Sequence, residues 1–300
     1  MNDGKEAAPE PEPGWGVDSE HGRLLDVLVC PPDYFRWLPT SEISRATLES
    51  GRRFDAELAH RQHAGMVAAY EEAGVGVHFL EPEAALPYQV FTRDSSAMTP
   101  SGAVITQLHQ RWRRGESAPA IRFYEGNRIP IRGTITAAAL EGGDLMILEP
   151  GSAAIGTSEA RTQGRAARQL AGWLAEDGWE VRVEPIPERF VHIDVLLAVL
   201  ADRLAAACTE ALSAGFVSWL RGRGFELIEV SAADAFGLGA NVMSLGDERV
   251  LSAIGAGALN AAMRAHGLTV HELDLSMFTL GGGGAHCLAQ ALRRERLAGA

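Results

Sequence analysis

The segment LGGGGAHCLAQALRR, residues 280–294, has the most unusual composition in the chain. Four consecutive glycines permit backbone conformations with positive φ and let the chain approach a ligand closely. Two residues separate them from Cys287. One interpretation is a nucleophilic thiol presented in a cleft, and the other is a turn followed by a buried structural cysteine, where most free cysteines are found.

A histidine and an aspartate open the second informative segment, VHIDVLLAVL, residues 191–200. The pattern predicts a strand, on which His192 and Asp194 share one face because side chains alternate with period two. A strand that begins with this pair and then becomes apolar would be buried along most of its length and would carry chemically active residues at its beginning. The alternative is a histidine that caps a strand edge.

Acidic residues precede two further strand-like runs. In LEGGDLMILEP, residues 140–150, Glu141 stands before a Gly-Gly turn and an apolar run. In QVFTRDSSAM, residues 89–98, Phe91 and Asp94 lie in a short loop ahead of the next predicted strand. Taken singly, the first could be a surface turn and the second a solvated loop.

Composition narrows the functional classes. The 300 residues are 46% hydrophobic and 22% charged, a composition that is ordinary for a globular protein. The net charge of −12 argues against a general nucleic-acid binder, because phosphate contacts need clustered Lys and Arg. It is compatible with a cationic substrate. Three cysteines are too few for a disulfide framework, and Cys30 and Cys208 are predicted to be core residues. Without a membrane-length apolar run or a signal-peptide core, the chain is expected in the cytoplasm.

The chain is predicted to have a disordered acidic leader, residues 1–21, and a single catalytic domain, residues 22–300. Strand-like runs alternate with helical periodicity in that domain. Five segments have the helical pattern: 52–73, 117–127, 159–177, 209–222 and 257–266. This alternation suggests a structural repeat, although the rhythm alone favours an ordinary doubly wound sheet.

Together the segments supply one thiol, one histidine and several acids. A cysteine near a protonated histidine can be held as thiolate. Carboxylates can bind a planar guanidinium through paired, charge-assisted hydrogen bonds. A papain-like protease would not need three acids, and a metal site would need more histidines at ligand spacing. The set therefore favours nucleophilic cysteine catalysis on a cation.

The ordered motifs FTRD, EGGD, HxD and GGGGxHC resemble those of the guanidino-group-modifying enzyme superfamily, the penteins. This group includes dimethylarginine dimethylaminohydrolases, arginine deiminases, agmatine deiminases and amidinotransferases. The resemblance spans about residues 22–296. It implies an α/β fold, a five-bladed αβ propeller of ββαβ units around a central active site, in place of the doubly wound sheet.

The resemblance also implies catalytic roles. Cys287 would be the nucleophile, His192 the general acid and base, and Glu141 the group that supports His192. No cofactor and no metal are implied.

Substrate-binding residues follow from the same resemblance. Asp94 and Asp194 would bind the guanidinium, with Phe91 packed nearby. Arg113 and Arg161 would bind the substrate carboxylate. Three other arginines compete for the role of the first: Arg111, Arg114 and Arg132.

The activity that the resemblance implies is hydrolysis of a guanidino C–N bond in arginine or N-methylated arginine. A covalent Cys287 thiouronium would lead to citrulline and ammonia or an alkylamine. The alternatives are transfer of the amidino group to an amine, an arginine dihydrolase that yields ornithine, and a non-catalytic propeller that binds a partner. The expected partner is a small cationic guanidino substrate, with no nucleic acid or membrane, and a homo-oligomer is left open.

Overall fold

Five small sheets of identical strand order make up the described chain. The computed structural model describes residues 14–297, and within them fifteen strands form five three-stranded sheets. Each sheet corresponds to one ββαβ unit.

The elements repeat in order along the chain. The first unit contains β1 (Leu24–Val29), α1 (Glu42–Glu49), α2 (Ala56–Glu72) and β2 (Gly76–Phe79). The second contains β3 (Ser96–Thr99), β4 (Gly102–Ile105), α3 (Ser117–Gly126) and β5 (Ile131–Thr134). The third contains β6 (Leu145–Glu149), β7 (Ser152–Thr157), α4 (Gly164–Glu176) and β8 (Glu180–Pro185). The fourth contains β9 (Leu197–Ala201), β10 (Leu204–Ala207), α5 (Ala214–Gly222), β11 (Glu226–Glu229) and the short α6 (Ala232–Phe236). The fifth contains β12 (Met243–Gly246), β13 (Arg249–Ala253), α7 (Gly257–Ala265) and β14 (Thr269–Leu273), and α8 (Ser276–Thr279) and β15 (Gln290–Arg294) follow it.

Strand pairing is the same in every sheet. The first two strands form an antiparallel pair, and a helical crossover brings the third beside the second in parallel. In the first sheet, β15 from the end of the chain takes the place of the first strand and pairs antiparallel with β1. The chain therefore closes on itself through this sheet.

Contacts between neighbouring sheets complete a ring. β15 contacts β3, β3 contacts the turn Gly142–Asp144 before β6, and β6 contacts the turn Ile193–Val195 before β9. β9 then contacts β12, and β12 contacts β1. The predicted five-bladed α/β propeller is thus confirmed.

The strands become less buried from the centre of the ring outward. The first strands of the units, such as β3, β6 and β12, are buried at every position, whereas the third strands β2, β5 and β14 are mostly exposed or half-buried. An outer strand can face solvent because its helix covers one side only. Residues that precede the first strands are therefore placed near the ring axis.

Local sequence signals mark where each helix gives way to the outer strand. A glycine with positive φ follows four of the helices: Gly74, Gly178, Gly224 and Gly267. Glycine adopts this conformation without a Cβ penalty, so it ends a helix and redirects the chain. Arg128 adopts a positive φ of 55° at the equivalent place after α3.

The five predicted helices are confirmed by α2, α3, α4, α5 and α7. Cys30 and Cys208 are buried in the core, as predicted. The predicted strand over residues 191–200 is wrong at its start, because the strand begins only at Leu197. His192 and Asp194 belong instead to a turn that precedes it.

The predicted leader is also corrected in part. Gly16 forms a bridge to Arg293, and Val17 and Glu20 are buried, so the boundary at residue 21 lies too late in the chain. Residues 1–13 of the predicted leader lie outside the described residues, as do residues 298–300. Within residues 14–297, no helix is both long and apolar enough to cross a membrane.

Candidate active site

The site residues occupy equivalent positions in different units. Asp94 precedes β3, Glu141 precedes β6, His192 precedes β9 and Cys287 precedes β15. Each of these strands is the innermost of its sheet, so their beginnings meet at one end of the ring axis. Segments at strand ends on a rigid scaffold are where functional side chains are commonly placed.

His192 and Glu141 form a buried pair. His192 Nε2 lies 2.8 Å from Glu141 Oε2, and Arg161 Nη1 donates to the same oxygen at 3.1 Å. Burial by itself would raise the pKa of Glu141, but Arg161 and His192 hold it well below its usual range. Glu141 is therefore a carboxylate that fixes the histidine ring.

The other ring nitrogen of the histidine faces Asp94. His192 Nδ1 lies 3.4 Å from Asp94 Oδ1. Burial by itself would lower the pKa of His192. The charges of Asp94 and Asp144, together with the hydrogen bond to Glu141, outweigh that effect and raise the pKa to about 9. At neutral pH His192 therefore carries a proton that it can donate.

The turn that carries His192 is anchored to the turn that carries Glu141. Asp144 Oδ1 accepts a hydrogen bond from the backbone N–H of Ile193 at 2.9 Å. The Gly-Gly pair after Glu141 thus does more than form a surface turn, because it brings this aspartate to the histidine segment.

Cys287 lies in a tight, acidic environment. Its side chain is 5% exposed, and Sγ lies 3.6 Å from Asp194 Oδ2. Burial, followed by the charges of Asp194 and Asp94, raises the pKa of this thiol well above its usual value. In these surroundings the thiol is therefore protonated at neutral pH.

The glycine loop lets an aromatic ring pack directly on its backbone. A Cβ at Gly283 would collide with the ring of Phe91, which is itself buried beside the pocket. Phe91 therefore packs where the motif predicts it, against the segment that presents Cys287.

A buried network holds Asp194 from behind. His286 Nδ1 lies 2.9 Å from Asp194 Oδ2, and His286 Nε2 lies 3.5 Å from Glu20 Oε2. Arg93 Nη2 donates to Glu20 Oε1 at 2.9 Å. Glu20 and His286 were missed from the sequence. Glu20 fell inside the predicted leader, and His286 was visible only as part of the GGGGxHC motif.

The two predicted carboxylate-binding arginines both reach the pocket. Arg113 Nη1 donates to Asp94 Oδ2 at 2.8 Å, and its other nitrogens pair with Glu116. Arg161 Nη2 donates to the Thr40 carbonyl at 2.7 Å. The three competing arginines lie elsewhere: Arg111 and Arg114 are exposed, and Arg132 pairs with Glu176 and Asp177.

The pocket itself is narrow. It has a volume of about 20 Å³, and the predicted site residues in its wall are Phe91, Asp94, Arg113, Arg161, His192 and Cys287. Asp194 and Glu141 lie behind this wall. Asp94, Glu141 and His192 also bring potential metal-ligand atoms within 4.8 Å of one another, but each of the two carboxylates is already bonded to an arginine.

Comparison with known proteins finds similar chains. The chain is 28% identical over 281 residues to YkgA of Bacillus subtilis, a protein without an assigned function, and the match covers 92% of this chain and 94% of that protein. It is 30% identical over 234 residues to the N(G),N(G)-dimethylarginine dimethylaminohydrolase of Mycobacterium tuberculosis, covering 78% and 75% of the two chains.

A solved structure shares the fold. A cysteine-to-serine variant of the dimethylarginine dimethylaminohydrolase of Pseudomonas aeruginosa, in complex with citrulline, superimposes with a TM-score of 0.75 at 25% identity. The match covers 89% of this chain and 99% of that one. The family model described as N,N dimethylarginine dimethylhydrolase, eukaryotic, matches residues 35–294. The chain therefore belongs to the N,N-dimethylarginine dimethylhydrolase family, whose members are hydrolases that act on guanidino groups.

Proposed function

We propose that the protein hydrolyses a guanidino C–N bond of arginine or an N-methylated arginine to give citrulline and ammonia or an alkylamine. The observation that carries this proposal is a thiol placed beside two buried carboxylates, Asp94 and Asp194. Among the described residues, Oδ1 of each is buried without a hydrogen-bond partner. Buried acceptors of this kind need donors, and a guanidinium supplies several in one plane.

Charge explains how such a substrate would activate Cys287. The two carboxylates disfavour a thiolate in the empty pocket. A guanidinium bound between them compensates their charge, so the pKa of the thiol falls when the substrate arrives, and the thiol proton passes to solvent because His192 already holds its own. The nucleophile is thereby generated in contact with its target.

In the first step Cys287 Sγ attacks the guanidinium carbon and forms a C–S bond. The C–N bond to the leaving amine breaks, and that nitrogen takes the proton held by His192. Ammonia or an alkylamine leaves, and an S-alkylthiouronium remains on the cysteine. Glu141 keeps the imidazole oriented throughout.

In the second step His192, now neutral, removes a proton from water. The hydroxyl oxygen adds to the thiouronium carbon. The C–S bond then breaks with its electron pair returning to sulfur, and the hydroxyl proton of the adduct passes to that sulfur, which restores the thiol. Citrulline is released, and His192 has regained its proton. The same covalent intermediate would serve an amidinotransferase if an amine took the place of water.

Arg113 and Arg161 are the groups we assign to the substrate carboxylate. Arg113 Nη1 bonds Oδ2 of Asp94, so a substrate guanidinium that uses both oxygens of this carboxylate would replace Arg113 there. This exchange would open the narrow pocket and free donors of Arg113 for the substrate tail. Citrulline in the complex of the Pseudomonas enzyme is consistent with such a product.

The test is mass spectrometry of products from arginine, methylated arginines, agmatine and guanidinoacetate, with and without an amine acceptor. We expect the wild-type protein to form a ureido product when no amine acceptor is present, and we expect Cys287→Ser to form none. Turnover by Cys287→Ser at the wild-type rate would contradict the proposal. An amidino adduct on the Cys287 peptide that turns over only with an amine would instead identify a transferase.

A further inference from the structure

The fifth unit also places a polar residue before its innermost strand. Asn241 stands two residues before β12, at the position where other units place Asp94, Glu141 and His192. It lies in none of the motifs that mark the other site residues.

Asn241 uses its side chain to join two loops of the site. It is 1% exposed. Its Oδ1 accepts from the backbone N–H groups of His286 at 3.1 Å and Cys287 at 3.2 Å. Its Nδ2 donates to the backbone carbonyl of Asp194 at 3.1 Å. One amide therefore links the nucleophile loop to the aspartate that faces the thiol.

The glycine loop is shaped to accept this amide. A Cβ at Gly284 would lie 2.7 Å from Asn241 Oδ1, closer than real Cβ contacts allow. The last glycine of GGGG is thus required by Asn241, as Gly283 is required by Phe91.

We infer that Asn241 is a positioning residue that fixes the distance between Cys287 Sγ and the carboxylate of Asp194. It contributes no side-chain atom to the lining of the pocket, so it acts through the two loops that it holds. This inference rests on the proposed function, in which that distance sets both thiol ionisation and the direction of attack. Small displacements of a reacting group are costly, because the chemistry needs near-attack geometry.

The experiment compares Asn241→Ala with Asn260→Ala. Asn260 is a matched control: it is equally buried in the same unit, and it bonds Ser252 Oγ and the Ala253 carbonyl, away from the pocket. We expect Asn241→Ala to lower kcat roughly 10- to 100-fold with KM within about threefold. Asn260→Ala should lower the melting temperature at least as much but leave kcat within about twofold.

A second readout needs no substrate. The pH midpoint for alkylation of Cys287 by iodoacetamide should fall in Asn241→Ala, because the thiol is no longer held against Asp194. Cys30 and Cys208 report unfolding, since both are buried in the core, and they should stay unmodified. A shifted midpoint without any guanidino turnover in the wild type would leave the positioning role standing and remove the proposed function.

A folded Asn241→Ala with kcat within about twofold and an unchanged alkylation midpoint would overturn the inference. If that variant does not fold, Asn241→Asp decides. It keeps the acceptor for both N–H groups, but replaces the donor to the Asp194 carbonyl by a charged carboxylate oxygen, and we expect kcat to fall about tenfold. Wild-type kcat in Asn241→Asp would equally overturn the inference.

Discussion

Cys287 has surroundings opposite to those of most reactive thiols. Reactive cysteines usually lie near cations that stabilise the thiolate, whereas this one lies beside Asp194 and Asp94. Such a thiol is inert toward most electrophiles until a cation enters the pocket. Under the proposed function, selectivity for a guanidinium lies in the ionisation of Cys287 as well as in the fit of the substrate.

Removing one of these charges should separate thiol reactivity from turnover. In Asp194→Asn the pKa of Cys287 falls, so alkylation by iodoacetamide at pH 8 should become faster while kcat/KM with arginine decreases at least about tenfold. Both rates are measured on the same preparation, with Asp202→Asn, on an exposed turn, as the control. Slower alkylation in Asp194→Asn would show that Asp194 does not suppress the thiolate.

Glu141 should set the alkaline limit of activity. As the proposed general acid, His192 is active below its pKa of about 9, so kcat/KM, which reports groups of the free enzyme, should decline above that pH. Glu141→Gln removes a charge that raises this pKa, and the alkaline limb should move to lower pH. Profiles of kcat/KM against pH test this, with the buried but distant Glu184→Gln as control. If the alkaline limb does not move in Glu141→Gln, a group other than His192 sets it.

The chemical residues could be found from the sequence because each lies in a motif beside a strand. Cys287, His192, Glu141 and Asp94 are brought together by the ring, as the order of the motifs implied. Asn241 could not be found, because its partners lie 45 residues or more away in sequence and a lone asparagine before a strand carries no local signal.

Among the elements, the amphipathic helices were predicted well and several strands were not. Strands β3 (SAMT) and β10 (LAAA) consist mainly of small residues that show no alternation. Strand β15 (QALRR) looks like a polar tail, yet Arg294 is buried because its guanidinium bonds the carbonyls of Gly22 and Ser244. Tertiary partners, which local sequence does not reveal, decide such strands.

At the same scale, the glycine loop should tolerate no side chain at Gly283, where the ring of Phe91 packs against it. In Gly283→Ala the added Cβ displaces Phe91 toward the pocket, and we expect activity to fall at least about 100-fold. Gly172→Ala, in α4, is the matched control, because open space surrounds that glycine. It should keep full activity and raise the free energy of unfolding by up to about 1 kcal/mol.

Product assays and thermal melts on both variants make the comparison. Wild-type activity in Gly283→Ala would mean that the ring can move away from the pocket without consequence for catalysis.

At the scale of the whole molecule, the site is formed by the complete ring and by no single ββαβ unit. Its residues come from separate units, and the first sheet is completed only by β15. Gly16 adds a further bridge to Arg293, and the N–H of Leu297 donates to Asp18 at 3.2 Å. Both ends of the described chain therefore lie close together.

This closure predicts that the chain can be cut and rejoined. A circular permutant that links residue 297 to residue 14 by about ten Gly/Ser residues, with new ends at Gly178, should fold and keep kcat within about threefold. That turn follows α4 on the surface, away from the pocket. A permutant opened at His109, whose backbone N–H donates to Glu141, should lose activity.

Circular dichroism and the product assay decide this prediction. A Gly178 permutant that folds but has no activity would show that the order of the units along the chain matters in addition to closure of the ring.

The position of Cys287 in the last segment of the chain has a consequence for biosynthesis. A nascent polypeptide acquires the acids and the histidine first, and the sulfur is translated last, together with the strand that completes the first sheet. Any product of premature termination or carboxy-terminal proteolysis ahead of residue 287 can form no covalent adduct. The proposed covalent chemistry is thus possible only in chains whose translation has passed residue 287.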